Sequence, residues 1–403
     1  MGKGVQGLKV RRAMQEIAVV GAGIGGLAFA TYAARAGRRV VVFDQFEAPA
    51  PVGSGLVIQP VGQAVLDDLG AGDGARSLGN AIVRMVGHEV GRGRRVLDVA
   101  YDPSGAGRFG LAIHRASLFQ VLLEAAVAAG VELRSGHEVL GRDGQVLEFR
   151  GQPCAGPFDL IVDAGGAGSP LSKLVARPLP YGAIWGTVPW PDTELQRDHL
   201  SQRYRRATNM IGALPIGRMP GGDQDLAAIF WSLPVAEYGA WRNAPLEQWK
   251  AAAVELWPDF APFLQGVTRH EQMTMAQYSH GTWRRPIGAG IAHIGDAAHR
   301  ASPQLGQGAN MALLDAQALW LAVAQHHHLA DALACYAKAR RWHVATYQTL
   351  SWAFTPMYQS NGRIMPLVRD WVATPLSRMP PAPRILSQLV RGNLVPTLGS
   401  LRR

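Results

Sequence analysis

The sequence is poor in cysteine and contains no long apolar run, and both shortages narrow the class of protein. Among its 403 residues only Cys154 and Cys335 are cysteines, and neither has the spacing of a redox or metal-binding motif. No stretch reaches about 18 uninterrupted apolar residues, and residues 1–15 lack the apolar core of a signal peptide. We therefore expect a protein of the reducing cytoplasm that is neither secreted nor inserted across a membrane.

Acidic residues are nearly absent from the two ends of the chain, although the whole sequence carries a net charge of +10. Residues 1–15 hold four Lys or Arg and no acid, and residues 346–403 hold seven Arg against the single acid Asp370. The ends therefore account for the positive excess, and the body between them is neutral. A basic nucleic-acid groove is not expected in that body.

A glycine-rich turn follows the first apolar run. The patterns predict a strand at 17–20, an Ala-rich helix at 24–36 and a second strand at 39–43, which together form a βαβ unit. The intervening run Gly21-Ala22-Gly23-Ile24-Gly25-Gly26 has the spacing of a dinucleotide-binding turn, and Asp44 ends the second strand, where a ribose would be bound. The unit predicts that phosphates bind at the N-terminus of this helix.

The remaining patterns predict an α/β protein with two kinds of domain. A helix at 118–129, strands at 131–133, 159–162 and 291–294, a hairpin at 143–144 and a helix at 308–324 extend the first unit. Between 178 and about 280, Trp and Pro are frequent and helical patterns are scarce, which predicts a mainly β second domain. The predicted division is a discontinuous Rossmann-like domain at 16–75, 101–177 and 281–345, a substrate domain at 76–100 and 178–280, a basic helical segment at 346–403, and disorder at 1–15.

Two further motifs lie beside the predicted strand at 291–294 and helix at 308–324. They are Gly295-Asp296-Ala297-Ala298-His299 and, after Pro303, Gly306-Gln307-Gly308-Ala309-Asn310. Together with the first glycine-rich turn they resemble the para-hydroxybenzoate hydroxylase family of single-component FAD monooxygenases, and the resemblance extends over about residues 17–342.

The resemblance implies how FAD is held. Asp296 is expected to hydrogen-bond the ribityl chain and diphosphate region, and the helix beginning near Gly308 to lie by the pyrimidine edge, where its N-terminus stabilises the negative charge of the reduced flavin. Arg115, with Ser54 and Gly55 less specifically, matches the family's other cofactor contacts. The predicted cofactor-binding residues are Gly21, Gly23, Ile24, Gly26, Asp44, Arg115, Asp296, Gly306, Gly308, Ala309 and Asn310.

The resemblance also implies the reaction. NAD(P)H would reduce FAD, and a flavin C4a-hydroperoxide formed with O2 would hydroxylate an aromatic, polyketide or quinone-like molecule inside a closed apolar pocket. Trp185, Tyr204, Trp231 and Tyr238 are candidate walls, with ordinary packing as the favoured alternative for each. The sequence assigns no catalytic residue, because His114 and His280 lack a spacing argument as bases. A monomer or homodimer is expected.

One position departs from the family pattern. Gly165, within Asp163-Ala164-Gly165-Gly166, stands where the family has the Asp of a motif associated with nicotinamide use. A flavoprotein oxidase and a non-redox flavin enzyme therefore remain alternatives, as does a flavin-binding protein without turnover. A halogenase is less favoured.

The C-terminal region from Met365 to Leu401 predicts only short helices, because several prolines interrupt it. An amphipathic helix at 385–394 could cover the substrate entrance or contact an anionic membrane peripherally. Packing of this tail on its own domain or on a dimer partner is the favoured alternative. The run at 326–328 consists of three histidines, which we interpret as a solvated helix end and not as a metal site.

Overall fold

The structure, a computed structural model, describes residues 15–47 and 54–401. The disorder predicted for residues 1–15 lies outside this range except at Gln15, whose N–H donates to Asp159 Oδ2 at 2.7 Å. The turn residues Pro51 to Gly53 also lie outside the described residues.

The described chain combines helices and strands in the order expected for an α/β protein. The strands are β1 Glu16–Val20, β2 Arg39–Phe43, β3 Gly55–Ile58, β4 Asn80–Ile82, β5 Arg84–Glu89, β6 Arg95–Ala100, β7 Gly110–His114, β8 Glu132–Arg134, β9 Val139–Asp143, β10 Val146–Phe149, β11 Leu160–Asp163, β12 Arg177–Pro189, β13 His199–Arg205, β14 Asn209–Gly217, β15 Leu226–Pro234, β16 Met273–Thr282, β17 Ile287–Gly288, β18 Ile291–His293 and β19 His299–Arg300. The helices are α1 Ile24–Arg35, α2 Pro60–Asp68, α3 Gly72–Leu78, α4 Arg115–Ala128, α5 Tyr238–Asn243, α6 Leu246–Leu256, α7 Ala261–Leu264, α8 Gly308–Gln325, α9 Leu329–Tyr358, α10 Ile364–Val368, α11 Thr374–Ser377 and α12 Ala382–Arg391, with a π-helical turn Arg369–Ala373 between α10 and α11.

The first sheet has the strand order β17-β18-β11-β1-β2-β8. Adjacent strands in this sheet are parallel except for the pair β17 and β18, which is antiparallel. Ile17 and Val19 of β1 pack into one buried cluster and Ala18 and Val20 into another, so both faces of the sheet are covered. Burial on both faces explains why these strands are continuous apolar runs in the sequence. The predicted Rossmann-like core is confirmed.

The second sheet has the order β19-β16-β12-β15-β14-β13-β5-β6, and it brings residues 84–100 together with the strands between 177 and 282. One face packs against α6 and α7 through a cluster that includes Trp249 and Phe263. On the other face, Ile216 and Ala228 pack against Ile82 of the small sheet β3-β7-β4. The predicted mainly β part is confirmed, although it also contains the helices α5 to α7, which the Trp-rich sequence did not indicate.

The C-terminal region begins inside a helix. The 30-residue α9 runs through positions 345 and 346, where the sequence predicted a boundary. Beyond α9 the helices are short, as the prolines predicted. Helix α12 packs on the body of the protein: Ser387 Oγ donates to Tyr101 O at 2.7 Å, and Gln307 Nε2 donates to Val390 O at 3.2 Å. The tail therefore follows the alternative in which it packs on its own chain.

None of the helices within residues 15–47 and 54–401 is long and apolar enough to cross a bilayer.

Candidate functional site

Four chain segments meet at one edge of the six-stranded sheet, because β1, β2, β11 and β18 are parallel and end together. The glycine-rich turn follows β1, Asp44 follows β2, the turn at 164–168 follows β11, and Gly295 and Asp296 follow β18. The first turns of helix α8 lie at the same place, because a Cβ built on Gly295 would lie 3.2 Å from the Cβ of Ala312, a residue of α8. Open α/β sheets bind their ligands at this edge.

The turn after β1 requires glycine for steric reasons. Gly21 has φ +95°, which favours glycine, and a Cβ on Gly26 would lie 2.0 Å from Gly21 O. A Cβ on Gly23, in contrast, would meet nothing within 4 Å, so the space beside Gly23 is open. The N–H groups of Ile24 and the next two residues of α1 have no acceptor among the described residues. Free donors beside open space fit the diphosphate of a dinucleotide.

Asp44 fixes this turn. Its Oδ2 accepts the Ala22 N–H at 2.7 Å, and its Oδ1 accepts the Phe46 N–H at 3.0 Å. Each carboxylate oxygen can accept more than one hydrogen bond, so the predicted ribose contact stays compatible with this arrangement. The sequence reasoning placed Asp44 at the sheet edge but missed its bond to the glycine-rich turn.

The start of α8 offers a second set of unpaired donors. Gly306 has φ +60° and turns the chain into the helix. The N–H groups of Gly308, Ala309 and Asn310 have no acceptor within the described chain, and the N-cap residue Gln307 makes no side-chain capping bond. This terminus therefore fits an electron-rich flavin edge.

The Asn310 side chain is fully occupied by the protein. Its Oδ1 accepts the Gln59 N–H at 2.7 Å, and its Nδ2 donates to Val57 O at 3.2 Å and Gly306 O at 3.0 Å. Asn310 therefore ties the start of α8 to β3 and leaves only its backbone N–H for a cofactor.

Asp296 and Arg115 present charged groups that the described chain does not neutralise. Asp296 is exposed in the 3₁₀ turn Gly295–Ala297, where its carboxylate makes no capping bond. Arg115 is exposed at the start of α4, three residues before the predicted start of that helix, and its N–H donates to Ser54 O at 3.1 Å. Neither side chain has a hydrogen-bond partner among the described residues. Asp296 is therefore free to bind a ligand at this edge, and Arg115 is free to bind one at the start of α4.

A buried carboxylate supports the turn that carries Asp296. Asp315 of α8 accepts the Gly295 N–H at 3.0 Å, lies 2.6 Å from His299 Nε2, and accepts Arg340 Nε at 2.7 Å. Burial would raise the pKa of Asp315, but the charges and hydrogen bonds of His299 and Arg340 outweigh it and hold this pKa well below its usual range. His299 thus supports the turn through its contact with Asp315. An Asp in the middle of an apolar helix was the available signal for Asp315.

Asp163, two residues before Gly165, is held by contacts within the protein. It is fully buried: Oδ1 accepts the Gly165 N–H at 3.0 Å and Ser169 Oγ at 2.7 Å, and Oδ2 lies 2.7 Å from His293 Nδ1. A Cβ on Gly165 would lie 3.2 Å from Asp163 Oδ1. An Asp at position 165 would place a second carboxylate close to Asp163, which gives a physical reason for glycine there.

Of the four candidate wall residues, Trp185 alone packs toward the small sheet β3-β7-β4. Its Nε1 donates to Tyr278 OH at 2.9 Å, and its ring centre lies 4.4 Å from that of Phe230. Tyr204 is buried against Tyr358. Trp231 and Tyr238 belong to the cluster on the opposite face of the large sheet. Strand alternation gives two faces, but the sequence did not show which face is turned toward the cofactor domain.

The two candidate bases differ in their surroundings. His114 caps α4, because its Nδ1 accepts the Ala116 N–H at 3.1 Å. His280 Nε2 lies 3.3 Å from Thr355 Oγ1, and its Nδ1 is buried without a partner. Thr355 Oγ1 lies 2.8 Å from Ser302 Oγ, directly before the loop that opens α8. Burial lowers the pKa of His280, so its ring is neutral at neutral pH.

Comparisons with known proteins identify the family. Residues 14–148 and 228–349 match the family model described as an FAD-binding domain, and the chain belongs to that family. It is 27% identical to 6-methylpretetramide 4-monooxygenase of Streptomyces rimosus (94% of this chain, 92% of the relative). It is 29% identical to a probable 2-heptyl-3-hydroxy-4(1H)-quinolone synthase of Rhodococcus erythropolis (95% and 97%). The structure of Klebsiella pneumoniae HpxO with FAD and uric acid superposes with a TM-score of 0.78 at 20% identity (94% and 97%).

These findings confirm the resemblance drawn from the motifs. The protein is an FAD-dependent monooxygenase, and FAD is its cofactor. Three features of the structure fit this cofactor: the unpaired donors of α1 and α8, the open space at Gly23 and the free carboxylate of Asp296.

The glycine-rich turn yields a paired prediction. Gly26→Ala should destabilise the fold by about 1–3 kcal/mol and abolish flavin retention, because its methyl group would collide with Gly21 O. Gly23→Ala should leave stability within about 0.5 kcal/mol and still weaken FAD binding at least about tenfold, because its methyl group points into the open space. Urea unfolding of the apoprotein and fluorescence titration with FAD measure the two effects.

Gly239→Ala on α5 is the matched control, since its Cβ would also meet nothing within 4 Å. Wild-type FAD affinity in Gly23→Ala would contradict the assignment of this space to the diphosphate.

Proposed function

We propose that this monooxygenase hydroxylates an aromatic, polyketide or quinone-like small molecule, with NAD(P)H as reductant and O2 as the oxygen source. The observation that carries the proposal is the convergence of two helix N-termini with unpaired donors on one sheet edge. An aromatic wall formed by Trp185, Phe230 and Tyr278 packs on the small sheet that Asn310 ties to the start of α8. Two relatives are named for 6-methylpretetramide and a 2-heptyl-3-hydroxyquinolone, which supports a ring-shaped substrate.

The predicted cofactor residues divide the binding task. The turn at 21–26 would hold the diphosphate, Asp44 the ribose, Asp296 the ribityl chain, and the start of α8 the pyrimidine edge, with Arg115 beside them. Bound FAD, once reduced, supplies the activated oxygen. In this proposal the cofactor is bound by a domain made of residues 16–75, 101–177 and 281–345. The substrate is bound by a second domain made of residues 76–100 and 178–280.

This aromatic wall suits a hydroxylated ring. Burial raises the pKa of Tyr278 to about 12, so its hydroxyl keeps its proton at neutral pH. The positive charge of Arg115 lowers this pKa, but burial outweighs it. Tyr278 would orient the ring, and the neighbouring Trp185 and Phe230 would exclude water from it.

His280 is the best candidate for the base in this pocket. Its unpaired, buried Nδ1 can accept the proton of a substrate hydroxyl, which makes the ring more electron-rich. Its Nε2 contacts Thr355, and Thr355 contacts Ser302, so a chain of hydroxyl groups is available to carry that proton away from the ring.

We also propose where the enzyme is located and in which oligomeric state it acts. We place it in the cytoplasm as a monomer or homodimer acting on a small molecule, with peripheral contact to a membrane through its C-terminal segment. The apolar and basic character of that segment supports the contact.

Oxygen labelling tests the proposed reaction. Purified enzyme with FAD, NADPH or NADH and ¹⁸O2 is incubated with phenolic and quinone-like compounds, and products are analysed by mass spectrometry. We expect one labelled oxygen atom per product and nucleotide consumption that the substrate stimulates. Hydrogen peroxide formation from a compound without nucleotide use would indicate an oxidase, and absence of any oxidation would indicate a non-redox flavin protein, the alternatives motivated by Gly165.

The role of His280 predicts a pH effect. Because burial lowers its pKa, the ring should be a competent base at neutral pH and become protonated only below the ordinary histidine range, where kcat/KM should fall. His280→Gln should lower kcat about 10²- to 10⁴-fold and remove this acidic decline, with flavin content unchanged. His114→Gln is the matched control, because it removes a helix cap and should keep the decline. An unaltered acidic decline in His280→Gln would rule out His280 as the base.

A further inference from the structure

One face of the helical run formed by α10, the π-helical turn and α11 is apolar and exposed. Its apolar side chains are mostly three or four residues apart, and the last lies two residues beyond α11, which places most of them along one side of the run. The residues of this exposed face are Ile364, Leu367, Trp371, Val372, Leu376 and Met379, each at least half exposed.

The opposite face anchors the run to the protein. Arg369 is 1% exposed, and its guanidinium donates to Arg206 O and Met357 O, each at 3.0 Å. The same group lies over the rings of Tyr204 and Tyr358, at 5.1 and 5.3 Å from their centres. The exposed face is therefore presented by a fixed helical run, and on it the Trp371 ring is also contacted by the Arg94 guanidinium, 4.4 Å from the ring centre.

Positive charge surrounds the exposed face. Arg363, Arg378 and Arg384 are exposed around it. Asp370 is the single acid between 346 and 403, and its side chain is 7% exposed and paired with Arg369. A two-fold contact between copies of the chain would bring like charges together, whereas an anionic lipid surface would neutralise them.

Helix α12 is not the surface that contacts lipid. Leu389 and Val390 are buried against the body, so the apolar side of the helix predicted at 385–394 is already covered. The apolar surface that remains uncovered lies earlier in the chain, on the exposed face of residues 364–379.

We propose that the exposed face docks onto an anionic lipid bilayer, with its apolar side chains entering the headgroup region and the arginines meeting lipid phosphates. This proposal specifies the peripheral membrane contact given under the proposed function and does not depend on the hydroxylation chemistry. Trp371 suits such an interface, where tryptophan is enriched. Docking would bring the site next to apolar substrates dissolved in the bilayer, because α12 links this region to Gln307 at the start of α8.

Vesicle co-sedimentation of the full-length, FAD-loaded protein tests the proposal. Vesicles of phosphatidylcholine with phosphatidylglycerol should bind the protein at least about tenfold more strongly than phosphatidylcholine alone, and binding should weaken with salt. Leu367→Glu with Leu376→Glu should reduce binding at least about tenfold, as should Arg363→Glu with Arg384→Glu. Val127→Glu, at a 60% exposed position on α4, is the matched control and should bind like the wild type.

Three outcomes would overturn the proposal: no sedimentation with either vesicle, equal binding by the Leu367→Glu, Leu376→Glu variant, or a wild-type dimer in light scattering that this variant converts to a monomer. The last would assign the exposed face to a second copy of the chain. Circular dichroism and flavin content establish that each variant is folded. Hydroxylation of a water-soluble compound is measured without vesicles, so failure of the proposed reaction is recognised separately from failure of docking.

Discussion

The buried carboxylate of Asp315 holds in place the turn that carries Asp296, one of the segments that meet at the proposed flavin-binding edge. It binds the turn after β18 through the Gly295 N–H and α9 through Arg340, and Arg340 also donates to Thr397 O at 2.6 Å. Removing one partner of such a buried pair costs about 3–5 kcal/mol, because a charge is left uncompensated. The turn that presents Asp296, the chain around Thr397 and the two long helices α8 and α9 thus depend on one side chain.

The carboxylates around this sheet edge differ in whether the protein itself binds them. Asp44, Asp163 and Asp315 use their oxygens to hold turns of the protein, whereas the carboxylate of Asp296 has no partner in the described chain. The helix N-termini of α1 and α8 supply partial positive charge on the same edge. In the proposed site, an anionic diphosphate and an electron-rich flavin would therefore be bound mainly by backbone donors, and Asp296 would bind hydroxyl groups of the ribityl chain.

The parts of the fold that depend on local sequence could be predicted. The unit from β1 to β2 and the α8 helix were visible in apolar periodicity and glycine spacing, because these features are set within a few residues. Contacts between distant segments were not visible. Asp315 meets His299 and Arg340 from 16 and 25 residues away, and the inward direction of Asp163 depends on His293. The length of α9 was also missed, because its sequence gives no clear signal to continue through position 345.

Whether FAD is bound at this sheet edge is tested most directly by measuring FAD affinity in Asp296→Asn. Because the wild-type carboxylate makes no bond within the described chain, thermal stability of the apoprotein should stay within about 0.5 kcal/mol of the wild type. The FAD dissociation constant should rise at least about tenfold, since a charge-assisted hydrogen bond is lost. Asp143→Asn, on the exposed end of β9, should change neither quantity. Equal FAD affinity in Asp296→Asn and the wild type would contradict the placement of the flavin at this edge.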